Sequence, residues 1–418
     1  MVMMLIWVFP LLLFLSVPVA HALIAAATLI LAIDHRPMAV VAQRLYTPTQ
    51  SFPMLAIPFF ILAGSLMMSG RFGENLVNFA KLLVGRFKGG MGHVSIVGSV
   101  MFGGVSGSAV ADASALGNAL IPVQKREGFP AAFAAAINSS ASTIAVLIPP
   151  SIPLIIYGLV SGTSIIALFI AGILPGVLLG VGMLTACWLS AKARGFPATH
   201  VEGGWRSFRS QAFQALPALF MPVFVVGTLR FGIATPTEVS VLAVAYALLV
   251  GTLVYRDLSL TAVLRAMMET GVMTGAVMLI IMASSVIQWM LTLEQAPQAL
   301  ATWMMGSLSE EWMIILAMNV IMLVVGTFLD LPAAILLLGP LFVGIATAIG
   351  LDHVQLGLMM VVNLAIGLYT PPVGTTLFIS STIARVSIGS VVKELAPFYL
   401  VALVVLGLIS YVPAFTIH

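Results

Sequence analysis

Charge is scarce in this chain. Of 418 residues only 7% are Asp, Glu, Lys or Arg, against about 25% in soluble domains. In their place stand 61% hydrophobic residues and a mean hydropathy of +1.15. Apolar runs long enough to cross a bilayer recur from end to end, and no polar stretch is long enough for a separate soluble domain. The chain therefore reads as one integral membrane domain, 1–418, embedded in a lipid bilayer. Cysteine is nearly absent: Cys187 stands alone, which excludes an intramolecular disulfide and any multi-cysteine metal or iron-sulfur site. The six histidines are scattered without metal-ligand spacing. A Walker A sequence, G-x-S-x-G and H-E-x-x-H are all missing, which argues against ATP drive by this chain and against common hydrolase chemistry. The first 33 residues lack a basic n-region and run past signal-peptide length, so they read as a retained span, broken at Pro10 or Pro18. The net charge of +3 is too small and too dispersed to suggest nucleic acid. It serves instead as a topology signal.

Basic residues gather in four connections: Arg71, Lys81, Arg86 and Lys88; Lys125 and Arg126; Lys192, Arg194, Arg206 and Arg209; and Arg256 with Arg265. The positive-inside rule places all four in the cytoplasm. Two spans separate the second from the third (131–157 and 164–189) and two separate the third from the fourth (213–229 and 238–254). Only one apolar stretch, 91–121, separates the first from the second. A single crossing there would put every later basic connection on the wrong side. The stretch is therefore expected to enter and return as a re-entrant hairpin, with its tip within Gly103 to Asp112, "GGVSGSAVAD". Non-helical backbone at membrane depth is tolerated only where protein buries it or it lines a wet cavity. After Arg265 no Lys or Arg occurs until Arg385, and the connection around 291–311 carries Glu294, Glu310 and Glu311. That connection is expected outside, followed by a second hairpin over 312–350 interrupted at "GTFLDLP", and by final spans at 356–380 and 395–415.

The halves share landmarks. Asp112 precedes Pro122 by ten residues and Asp330 precedes Pro340 by ten; "IPPSIP" and "TPPVGTT" each lie 25 residues before a further proline, Pro150 to Pro175 and Pro372 to Pro397. Each half reads as hairpin, span bearing Asn138 or Asn363, Pro-Pro break, hydroxyl-rich stretch and closing span. The expected fold is an all-α polytopic bundle with inverted repeats: 91–190 and 312–415 form a transport region, and 191–311 contributes scaffold-type spans. Inverted repeats with broken helices are the architecture of secondary transporters. Unwinding frees carbonyls for a hard cation such as Na+, while exposed helix N-termini favour an anion.

Sodium ligands are expected from Ser106, Ser108, Asp112, Ser142, Thr143, Thr370 and Thr375, with carbonyls near Gly104, Pro149 and Pro371. The substrate is expected at Ser106, Gly107, Ser108, Asn138, Asn363, Gly374, Thr375 and Thr376. Ser140 and the glycines 103 and 326 belong to the same segments. Asp112 serves either the ion site or as a cap of the returning helix. Asp330 carries the same two readings, of which the better is an N-cap of a helix starting at Pro332. Thr235-Pro-x-Glu238 reads as a capping box, and Arg385 either as a contact for an anionic substrate or, the better reading, as an anchor at the cytoplasmic boundary.

"FGGVSGSAVADASALGNALIP" (102–122), "NSSASTIAVLIPPSIPLIIYGLVSGTSIIALFIAGILPG" (138–176), "TPTEVSVLAVAYALLVG" (235–251) and "GLYTPPVGTTLFISSTIARVSI" (367–388) resemble the large membrane subunit of tripartite ATP-independent periplasmic (TRAP) transporters, the DctM-like family. "SFPMLAIPFFILAG" (51–64) carries the resemblance toward the N-terminus. The resemblance implies a sodium-driven importer in a bacterial or archaeal inner membrane, and an elevator motion of both hairpins against a scaffold. It also implies a small four-helix membrane subunit, here separate, and a periplasmic binding protein delivering an organic acid: a dicarboxylate, keto acid or sugar acid. Two other readings stay open on the residues: a stand-alone sodium-coupled carrier of the divalent-anion symporter type, and a non-transporting membrane scaffold.

Overall fold

Among the described residues, five α-helices precede the first hairpin: α1 (Val2–Phe14), α2 (Val19–Ile33), α3 (Ala39–Tyr46), α4 (Ala56–Met68) and α5 (Phe72–Val84). The first repeat comprises α6 (Gly90–Ser106), α7 (Ala109–Arg126), α8 (Ala131–Ala141), α9 (Ile152–Ser161) and α10 (Ile165–Arg194). Between the repeats lie α11 (Trp205–Arg230), α12 (Pro236–Leu249), α13 (Leu260–Leu293) and α14 (Ala296–Ser307). The second repeat comprises α15 (Glu311–Gly326), α16 (Leu331–Ile349), α17 (His353–Gly367), α18 (Thr375–Ala384) and α19 (Ile388–Tyr411). The computed structural model describes residues 1–69, 71–196, 198, 205–308 and 310–416. The side chains of Val2, Met3, Ile6, Trp205, Arg206 and Ser207 lie outside the described residues, so Arg206 of the third basic connection does too. Six helices among the described residues are long and apolar enough to cross a membrane, or seven if the pair 39–50 and 52–68, bent by 67°, counts as one span.

The expected N-terminal span is two helices. Pro10 is absorbed within α1, and the chain breaks instead at the turn before α2, where Pro18 occupies the N-cap position. Proline needs no N–H donor there. The spans expected at 131–157 and 356–380 are each divided, into α8 and α9 and into α17 and α18, around the Pro-Pro pairs.

All four basic connections meet on one face. The backbone N–H of Arg71 donates to Asp257 at 2.5 Å, Lys88 bridges to Ala198, and the Phe129 and Phe196 rings lie 5.1 Å apart. Lys125 Nζ donates to the Ala384 carbonyl at 3.0 Å, bringing the loop of Arg385 to the same face. Both ends of the α6–α7 pair therefore lie on this face, and the pair is a re-entrant hairpin. The α15–α16 pair enters from the far side, where Tyr411 at the end of α19 donates to the Trp312 carbonyl at 3.2 Å.

The closing helices α10 and α19 fix the sense of the repeat. Arg194 at the end of α10 pairs with Glu394 near the start of α19 at 2.6 Å. Gly182, midway along α10, sits against Val401. Equivalent helices thus run antiparallel, and the repeats are inverted. Ser108 and Asp330, helix starts Ala131 and His353, Pro149 and Pro371, and Pro175 and Pro397 are each 222 positions apart.

That register corrects two pairings suggested by sequence spacing. Asp112 is not the counterpart of Asp330, whose equivalent is Ser108, the N-cap of α7. Asn138 is the counterpart of Met360, and Asn363 of Ala141. With Cys187 replaced by Ser, single cysteines at Arg86 and Arg126 should react with an impermeant maleimide from one side and a cysteine at Glu310 from the other. Labelling of 86 and 126 from opposite sides would contradict the hairpin.

Candidate functional site

Each repeat seats a hairpin tip on its own broken span. In the first, α6 ends at Ser106, Gly107 turns in the left-handed region at φ +57°, and the Ser108 hydroxyl caps α7 by accepting from the Ala111 N–H at 3.4 Å. The Gly107 carbonyl accepts from Ile152 N–H at 3.4 Å. A Cβ on Gly107 would collide with the Pro150 carbonyl. In the second, the Thr327 carbonyl accepts from Val373 N–H at 3.3 Å, and a Cβ on Gly367 would collide with the carbonyl of Gly326. Pro149–Pro150 and Pro371–Pro372 are both cis. Prolines cannot donate to a helical ladder, so each break frees backbone groups and starts a new helix at depth. Four helix N-termini result, those of α7, α9, α16 and α18, and such ends carry partial positive charge and unsatisfied N–H donors.

The repeats are joined by buried polar groups. Asn138 Nδ2 donates to the Ala113 carbonyl and to Ser380 Oγ, both at 2.9 Å, linking α7, α8 and α18. The Thr376 hydroxyl faces two carbonyls, Ser139 at 3.0 Å and Leu368 at 2.9 Å. Both first-half break hydroxyls are turned toward the chain: Ser142 donates to Ser139 at 3.0 Å and Thr143 to Ser140 at 2.6 Å. Ser140 donates to Ala136 and Thr370 to Ile366. These hydroxyls keep lone pairs for a cation while their protons are used. Thr375 Oγ1 is buried with no hydrogen-bond partner.

Other expected residues lie elsewhere. Asn363 donates to Asn319 on α15, to its carbonyl at 3.0 Å and its Oδ1 at 2.8 Å, and Asn319 donates to Ser410 on α19 at 3.0 Å. Asn363 therefore ties the second hairpin to its repeat. Asp112 is fully buried one turn inside α7 with Ser99 of α6 beside it, and Ser108 rather than Asp112 caps the helix. Asp330 holds the N-cap position of α16, which starts at Leu331, but makes no capping hydrogen bond and is exposed. Gly374 turns at φ +36° before α18, and Pro371 is exposed whereas Pro149 is buried. Gly104 packs on Pro222 of α11. Glu238 and Thr235 form the full capping box, with both reciprocal bonds. Arg385 is exposed in the left-handed region after α18. Among the described residues no three His, Cys, Asp or Glu side chains converge on a metal-sized point. The tips and breaks themselves present mainly hydroxyl and carbonyl oxygens.

A cavity of about 830 Å³ opens beside the first tip, between the hairpin and the helices α4 and α13. Ser106, Ser108, Ser114 and Asn118 line one wall, and Arg265 and Glu269 of α13 the other. Its volume is within the usual range of small-molecule sites. Arg265 served only as a topology marker in the sequence. The clue to more was Glu269 four residues on, since that spacing puts both charges on one face of an otherwise apolar helix.

An all-helical membrane protein with inverted repeats, each seating a hairpin tip on a broken span, is a secondary transporter by architecture. The family model for the tripartite ATP-independent periplasmic transporter, DctM component, matches residues 5–415, and this chain belongs to that family. An uncharacterized protein of Sinorhizobium fredii, y4mL, is 51% identical over 100% of both chains. The C4-dicarboxylate TRAP transporter large permease protein DctM of Pseudomonas aeruginosa is 36% identical, covering 89% of this chain and 87% of its own. The sialic acid TRAP transporter large permease protein SiaM of Vibrio cholerae is also 36% identical, over 97% and 95%. Among solved structures, the YdaH transporter of Alcanivorax borkumensis superposes with a TM-score of 0.63 at 14% identity, covering 90% of this chain and 87% of that one, a likeness of fold. The chain is thus a multi-pass transporter permease subunit and not an enzyme.

Proposed function

We infer that the chain is the large subunit of a sodium-coupled TRAP importer in a bacterial or archaeal inner membrane. A periplasmic binding protein delivers an organic acid, a dicarboxylate, keto acid or sugar acid, and a small membrane subunit completes the complex. The observation that carries this reading is the pair of inverted tip-and-break units with the four helix N-termini that they create. A carboxylate at membrane depth is costly unless its charge is offset; helix N-termini and a co-bound sodium ion supply that offset. C4-dicarboxylates and sialic acid, named for two relatives, share the carboxylate and little else, which suits recognition by backbone N–H groups. Ser106 and Ser108, with the oxygens around Ser142, Thr143, Thr370, Thr375, Pro149 and Pro371, are the proposed sodium ligands. The transport unit, α6–α10 with α15–α19, slides against the remaining helices as an elevator, and the cavity at the first tip is where the two parts separate.

The test is uptake into proteoliposomes containing this chain and the small subunit, with binding protein and sodium each supplied or withheld. Uptake should require both. Ser106→Ala should raise the sodium concentration for half-maximal uptake by roughly fivefold to tenfold, the loss expected for one ligand of about 1–1.5 kcal/mol. Unchanged sodium dependence would remove Ser106 from the site. Uptake by this chain alone would instead identify a stand-alone anion carrier.

A further inference from the structure

We propose that Arg265 on α13 is the anion-attracting residue of the cytoplasmic release path, receiving the substrate carboxylate as it leaves the first hairpin tip. This rests on the transporter reading above. The cavity beside the tip has two walls that run antiparallel. On one, α7 descends from Ser108 past Ser114 and Asn118 to the basic face; on the other, α13 rises from that face past Arg265 and Glu269 to Val272 and Met273. Arg265 lies five residues into α13, so it stands roughly 8 Å along the helix from its start on the cytoplasmic face.

The chemistry of the lining is one-sided. Among the described residues, the polar groups of the hairpin wall are hydroxyls, an amide and backbone, and Arg265 and Glu269 are the charged residues lining the cavity. Neither takes part in an ion pair among the described residues. A guanidinium presents donors in a fork that fits a carboxylate, and an aqueous cleft walled by apolar helices focuses its field. An anion leaving the helix N-termini of α7 and α9 therefore meets Arg265 as its next positive group. Glu269, one turn deeper, offers the departing cation a carboxylate and keeps the anion from binding too firmly beside the tip. Arg265 belongs to the scaffold and not to either hairpin, so its attraction acts when the tip faces this cavity.

The test uses the complete membrane complex in inside-out vesicles, with Cys187→Ser and a reporter at Asn118→Cys. The probes are the anionic sulfonatoethyl and the cationic trimethylammonioethyl methanethiosulfonates. With Arg265 present the anionic reagent should be favoured. Arg265→Ala should slow it roughly fivefold and speed the cationic one, as expected for one charge nearby in a largely aqueous cleft, and Arg265→Lys should restore most of the preference. Glu269→Gln should shift the ratio the other way. Ser114→Cys provides a second reporter if the first is poorly produced. A rate ratio unchanged by Arg265→Ala at both reporters would overturn the proposal and leave Arg265 an anchor among lipid headgroups. Labelling needs no transport, so absence of sodium-driven uptake with an intact Arg265 effect would overturn the importer reading alone.

Discussion

Gly107→Val is expected to reach the membrane at normal levels and to reduce uptake to background. Gly107 turns the first hairpin at φ +57°, a conformation costing roughly 1–2 kcal/mol for a residue with a Cβ and more for a β-branched one. The larger penalty is steric. The space a Cβ would take is held by the Pro150 carbonyl, which belongs to the rigid Pro-Pro break and cannot swing aside like the end of a side chain. The tip would have to lift off the break, losing the Gly107–Ile152 hydrogen bond and moving Ser106 and Ser108 away from the N-terminus of α9. Gly107→Ala should fall between the two, since it meets the same carbonyl with a smaller group. Uptake per inserted complex is the measurement, and near-normal uptake by the valine variant would show that the tip need not seat against the break.

The second large effect is on stability. Asn138→Leu keeps the number and branching of the side-chain heavy atoms, though it is bulkier, and removes both donors that join α8 to α7 and α18. The Ser380 hydroxyl would be left without this partner in a buried setting, at about 1–3 kcal/mol, and the Ala113 carbonyl, which keeps its place in the α7 ladder, would lose a second hydrogen bond worth about 1 kcal/mol. A loss of about 2–4 kcal/mol follows, read as a lower unfolding midpoint of the purified protein. Ser380→Ala alone should cost less, and the double variant less than the sum, because the two residues share one hydrogen bond. Full additivity would mean that Asn138 and Ser380 do not interact. Asn363→Leu should also destabilise, through Asn319 and the second hairpin, without separating the two repeats.

Much of the architecture was legible because membranes impose few alternatives. Long apolar runs must be helices, since nothing in lipid can satisfy exposed backbone. The parity of Lys and Arg between those runs forced the first hairpin, and the contacts of Arg71, Lys88, Lys125 and Arg194 now show one basic face. Proline pairs marked where spans break, because proline removes a ladder donor wherever it stands. Glu238 could be assigned to its capping box from four consecutive residues, the reach of a local interaction.

Spacing failed where two features of like chemistry do different jobs. Asp112 and Asp330 looked equivalent by their distance to a proline, yet one is buried inside a helix and the other starts one. Asn138 and Asn363 looked like a pair, yet only the first connects the repeats. The sequence alone pointed to the apolar spans, the breaks and the connections that share one face, because each follows from local polarity and from charge counted along the chain. Which hydroxyls and amides are spent on packing, and which residues face the tip across the cavity, were decided only by the tertiary structure. Arg265 and Ser108 are separated by more than a hundred residues of chain, and only the folding of α13 against the hairpin brings them to one cavity.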